Sequence, residues 1–131
     1  MKEDGKSAHA DWDSFNKEVD LAGGMEEYYK KDQKETMEHL QREVENPSCH
    51  ADKNTLELFK KSNQQKIENI KALFMVYELL EKAGVEVSFR GLTHTMHRYA
   101  ASVIWPMKDL LEQGKVEEAL QLYYQPRRYW R

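Results

Sequence analysis

Along most of the chain, apolar residues recur at the three- and four-residue spacing of helices, with charged positions between them. Met25, Tyr29, Met37, Leu40 and Val44 fall on one stripe while Glu26, Glu27, Lys30, Lys31, Lys34, Glu38 and Arg42 fill the remainder, which predicts a helix over residues 25–45. Glu26 and Glu27 stand in its first turn, where the helix dipole favours negative charge. Asn46-Pro47 stops it, because the residue before a proline is pushed out of the helical region. After a loop at residues 47–52, Asn54 is placed to cap a second helix, with Glu57 completing a capping box. That helix runs without a breaker to Ala83, and Gly84 supplies the left-handed residue wanted at its end.

The second helix changes character midway. Leu56, Phe59, Ile67 and Ile70 form one narrow stripe, but residues 72–80 are apolar on nearly every side, which demands neighbours on more than one face and makes this the central helix. Val85, Val87 and Phe89 then alternate with Glu86 and Ser88 at strand period; no other stretch offers a partner strand, so an extended connector is expected. Helical spacing returns with Leu92, Met96, Tyr99, Ala100, Val103, Met107, Leu110 and Leu111. Pro106 interrupts it by removing a donor and crowding the carbonyl of Ser102, so the element kinks or splits with Pro106 in the first turn of its second piece. Gly114 ends this element, and Val116, Ala119, Leu120 and Tyr123 mark a last helix closed by Gln125-Pro126. The pattern predicts an all-α fold, a small bundle of four to five helices with a long central helix and a Pro-interrupted fourth helix, occupying residues 25–125. Residues 1–24 read as a polar mobile arm with Trp12, Phe15 and Val19 at i, i+3 and i+7 as its anchor, and residues 126–131 read as a tail.

Composition narrows the classes. With 131 residues, one Cys, three Pro and 40% apolar residues, the chain carries no disulfide framework and no low-complexity repeat, and no apolar run approaches the ~18 residues of a membrane span. The start MKEDGKSAHADW lacks the basic and apolar regions of a secretory signal, and with the lone Cys49 this places the protein in a reducing cytoplasm as an expectation. Net charge is −3 but unevenly distributed: residues 1–50 hold 7 basic and 13 acidic groups, whereas residues 85–131 hold 7 and 5. Arg90, Arg98, Arg127, Arg128 and Arg131 lie in that last third and only Arg42 precedes it. Guanidinium forks suit carboxylates, phosphates and aromatic faces, so a surface for an anionic partner is sought there.

Catalytic and metal signatures are sparse. His94 and His97 are three apart and face one side of a helix, but no Glu-x-x-His occurs to complete a carboxylate-bundle metal site, and Met96 beside them belongs to a core stripe. Cys49-His50 is adjacent in sequence, which does not aim a thiol at an imidazole. There is no Gly-rich phosphate loop and no Gly-x-Ser-x-Gly elbow. The expectation is a non-enzymatic protein with no cofactor and no metal.

Two segments carry resemblances. Leu79-Leu80-Glu81-Lys82-Ala83-Gly84-Val85 followed by Ser88-Phe89-Arg90-Gly91-Leu92-Thr93-His94-Thr95-Met96-His97-Arg98-Tyr99 resembles a helix-turn-helix in outline, with a turn longer than the roughly three or four residues usual there. The resemblance implies that Thr93, His94, His97 and Arg98 face a nucleic-acid groove, with Arg90 on a phosphate. Residues 114–126, through Gly114, Glu118-Ala119, Tyr123 and Pro126, look like the second helix of a tetratricopeptide repeat; no second copy stands at the ~34-residue period, so the resemblance implies helix-hairpin packing alone.

The last nine residues, Tyr123-Tyr124-Gln125-Pro126-Arg127-Arg128-Tyr129-Trp130-Arg131, interleave four aromatics with three Arg, a composition suited to partner pockets, bases or cation–π contacts. The reading is therefore a regulatory or scaffolding interaction module that binds a protein partner through Arg90, Arg98, Arg127, Arg128, Tyr129, Trp130 and Arg131. The alternative is a nucleic-acid-binding protein using residues 79–99 and the basic tail. A membrane is not expected as a partner, and a homodimer is left open.

Overall fold

The computed structural model describes residues 23–48 and 50–125. The expected anchor at Trp12, Phe15 and Val19, Cys49, and the tail residues Arg127, Arg128, Tyr129, Trp130 and Arg131 lie outside the described residues. The fold is all-α: α1 is Met25–Glu45, α2 is Lys53–Lys82, α3 is Phe89–Tyr99, a π turn spans Ala100–Ile104, α4 is Trp105–Glu112 and α5 is Val116–Tyr124. No strand occurs among the described residues, and no described helix is long and apolar enough to cross a membrane.

Helix ends follow local chemistry. Asn46 closes α1 before Pro47. The cap of α2 is Asp52 and not Asn54: the Thr55 N–H donates to Asp52 Oδ1 at 2.8 Å, and that bond holds the Asp52 carboxyl below the ordinary carboxylate range. Both residue types cap well, and the one that lets the helix begin earlier wins. At the other end of α2, Gly84 has φ 79°, and the Val85 and Gly84 N–H groups donate to Leu80 and Glu81 carbonyls at 3.0 Å each. Gly114 repeats this arrangement after α4, with Lys115 and Gly114 bonded to Leu110 and Leu111. In both places a left-handed residue reverses the chain while satisfying the last carbonyls. The second reversal folds α5 back on α4 as a helical hairpin.

Pro106 interrupts its element as the pattern predicts and stands in the first turn of the second piece, α4. The Trp105 N–H donates five residues back to the Ala100 carbonyl, widening the turn just ahead of the proline. The π turn between the two pieces absorbs the proline's missing donor and its ring. Trp105 locks this junction to α2, its indole N–H donating to Asn69 Oδ1 at 2.9 Å.

Ile70, Leu73, Val76 and Leu80 of α2 meet Phe89, Leu92, Met96 and Tyr99 of α3, Val103 and Ile104 of the π turn, Met107 and Leu111 of α4 and Ala119 of α5. This is why residues 72–80 are apolar on nearly every side, with Met75 and Glu78 left exposed. The first half of α2 is little buried by the described residues. Between Gln33 on α1 and Ile67 on α2 no described residue is buried, and Leu58 and Phe59 are 66% and 48% exposed. The stripe assigned to Leu56, Phe59, Ile67 and Ile70 is therefore buried only from Ile67 onward and joins the core at Ile70.

Candidate docking face on the third helix

Position on α3 decides what each of its side chains can do. Phe89, Leu92, Thr93, Met96 and Tyr99 are buried. Arg90, His94, His97 and Arg98 are exposed, and at ~100° per residue they share one quadrant of the helix, along about 12 Å of its length. Among the described residues none of the four stands in an ion pair; the pairs found are Lys30–Glu27, Lys71–Glu68 and Lys108–Glu112. The sequence explains why: from Val87 to Lys108 there is not one Asp or Glu. The face presents two guanidinium forks and two imidazoles, all hydrogen-bond donors, with no carboxylate of its own helix to answer them.

Thr93 departs from the helix-turn-helix expectation. It is 2% exposed, and its Oγ1 donates to the Phe89 carbonyl at 2.9 Å, so it faces the core and no groove. β-Branching makes it a good filler of that site, and the hydroxyl is satisfied within the helix. The turn of that motif is here an extended connector, Val85 to Ser88, as the alternating pattern predicts.

One edge of the face is built by α1. The Tyr29 ring lies 6.1 Å from the His94 ring and 5.8 Å from the Arg90 guanidinium carbon, placing an aromatic surface beside the cations. Glu26, one turn earlier, pins the start of α3: its carboxylate accepts from the Phe89 N–H, from the Arg90 N–H at 3.3 Å and from the Ser88 hydroxyl at 3.3 Å. Ser88 in turn accepts from the Gly91 N–H at 3.1 Å as N-cap. One carboxylate thus occupies the donor end of the helix and fixes two helices together across more than sixty residues of sequence.

The C-terminal side of the molecule meets α3 at the same turn. A Cβ built on Gly91 would lie 2.8 Å from the Tyr123 hydroxyl oxygen, so the glycine leaves room for the tip of that side chain.

Arg90 and Arg98 are thus brought onto one face and joined there by His94 and His97, residues whose spacing suggests metal ligands or groove contacts. Among the described residues no three His, Cys, Asp or Glu side chains gather as a metal site. A separate groove of about 500 Å³ lies between α2 and the connector, lined by Tyr77, Glu81, Val85, Glu86, Val87 and Ser88, and its charged members are acidic. Compared with protein-family models, with curated proteins and with solved structures, the chain finds no match in any of the three.

Proposed function

We infer that the protein is a non-enzymatic interaction module of the cytoplasm that docks an acidic protein partner on the exposed face of α3. The single observation that carries this reading is the quartet Arg90, His94, His97 and Arg98, lined up without an ion pair among the described residues on a helix free of carboxylates. Arg pairs with carboxylates through two parallel hydrogen bonds, and the adjoining Tyr29 ring gives a partner's apolar atoms a place to rest. In this reading the tail residues Arg127, Arg128, Tyr129, Trp130 and Arg131 add further guanidinium and aromatic groups for the same partner. The helix backbone fixes the spacing of these donors in advance, which suits a scaffold or regulator.

A nucleic-acid partner is the second reading, favoured by the same lack of carboxylates, since phosphates answer guanidinium groups equally well. Fluorescence anisotropy with a labelled oligoglutamate and with a short DNA duplex separates the two. The expected result is oligoglutamate binding that R90E/R98E weakens by roughly tenfold or more, about 1.4 kcal/mol. Undiminished binding by R90E/R98E would remove the face from the account. Preference for the duplex, with affinity collapsing between ~50 and ~200 mM salt, would install the nucleic-acid reading in its place.

A further inference from the structure

Segment 1–22 holds three lysines against six carboxylates, Glu3, Asp4, Asp11, Asp13, Glu18 and Asp20. It joins the described structure at Gly23 and Gly24, immediately before the turn of α1 whose Glu26 is bonded to the Phe89 and Arg90 N–H groups. The acidic segment is therefore tethered at the first turn of the one carboxylate-free helix, beside Arg90. Length is no obstacle: the face from Arg90 to Arg98 is about 12 Å long, and twenty-two residues span about 33 Å even as a helix. Tethering turns weak charge pairing into an intramolecular event at an effective concentration in the ~mM range. The segment also carries Trp12, Phe15 and Val19, apolar groups of the kind the Tyr29 edge of the face accommodates.

We propose that segment 1–22 is an internal ligand of this face, laying its carboxylates along Arg90, His94, His97 and Arg98 and so competing with any external acidic partner. The proposal rests on the docking reading and deepens it by assigning its regulation. A partner gains access by displacing the segment, and neutralising the segment raises affinity without touching the face. The fold supplies the arrangement by pinning the start of α1 to the start of α3 through Glu26.

The test uses the full chain with Cys49→Ser and a nitroxide on Ala8→Cys, reading paramagnetic broadening of backbone amides. At low salt the amides of Arg90, His94, His97 and Arg98 broaden together, and the broadening disappears when Asp11, Asp13, Glu18 and Asp20 are changed to their amides. Broadening absent from α3, or indifferent to that neutralisation, overturns the proposal. The same neutralised chain, without the label, binds oligoglutamate several-fold more tightly than the parent; equal affinity also counts against it. If α3 broadens as expected while neither chain binds oligoglutamate, the internal ligand stands and the external docking reading falls. Oligoglutamate binding with no broadening overturns the internal ligand and leaves external docking in place.

Discussion

Replacing Phe89 by Ala is expected to cost about 3–5 kcal/mol, more than any other single truncation of the core described above. Phe89 is fully buried, and its ring lies 5.0 Å from the Phe74 ring and 5.3 Å from the Tyr77 ring, the latter edge-on. The cost combines lost transfer energy, the cavity left where α2 and α3 meet, and two aromatic contacts each worth ~0.5–1.5 kcal/mol beyond area. Against a domain stability of ~5–15 kcal/mol this is a large fraction. Urea denaturation should show a lower midpoint with an unchanged slope. Leu58→Ala is the control: also apolar but 66% exposed, it should stay within about 0.5 kcal/mol of the parent. Similar losses for the two would mean that the core is not where the packing places it.

Glu26→Ala is expected to be the next most damaging change, by about 1–3 kcal/mol, and through a polar mechanism. The Phe89 N–H belongs to a fully buried residue and has the Glu26 carboxylate as its partner. Removing the carboxylate strands that donor, withdraws an acceptor from the Arg90 N–H and the Ser88 hydroxyl, and takes a negative charge from the positive end of α3. The loss should be local: amide hydrogen exchange of Phe89 and Arg90 accelerates, while that of Leu73 and Val76 in the core follows only the global change. Glu26→Asp keeps the charge but shortens the reach, and should recover little. Unaltered exchange at Phe89 and Arg90 in Glu26→Ala would show that the contact does not hold the two helices.

The contrast between these two residues shows how much of the molecule is legible in its sequence. Local signals are decisive where one residue settles the matter. Asn46-Pro47 stops α1, Gly84 and Gly114 end α2 and α4, and the run at residues 72–80, apolar but for Glu78, announces the helix at the centre of the core. Where two residues offer the same chemistry, as Asp52 and Asn54 do, spacing alone picks the wrong one. Pro106 guarantees a disturbance, but whether a helix breaks, bends or widens depends on what holds its far side; here the Trp105–Asn69 bond does so.

The docking face is half legible. The concentration of Arg in the last third points to Arg90 and Arg98, and helical arithmetic then brings His94 and His97 beside them. What periodicity cannot supply are contacts between distant segments: Glu26 on the start of α3, Tyr29 at the edge of the face, and Tyr123 over Gly91. Gln33 is hidden for a related reason. It stands in a highly charged helix yet is 4% exposed, with its Oε1 lacking a partner among the described residues, and nothing in the local pattern marks it as interior.

The most direct test of the central claim is a chemical-shift map of the full chain titrated with oligoglutamate. The docking account predicts perturbations concentrated at Arg90, His94, His97, Arg98 and the Tyr29 edge, leaving the acidic groove at Glu81 and Glu86 and the exposed Leu58–Phe59 end of α2 unmoved. Perturbations centred on those other surfaces, or none at all on α3, would contradict it.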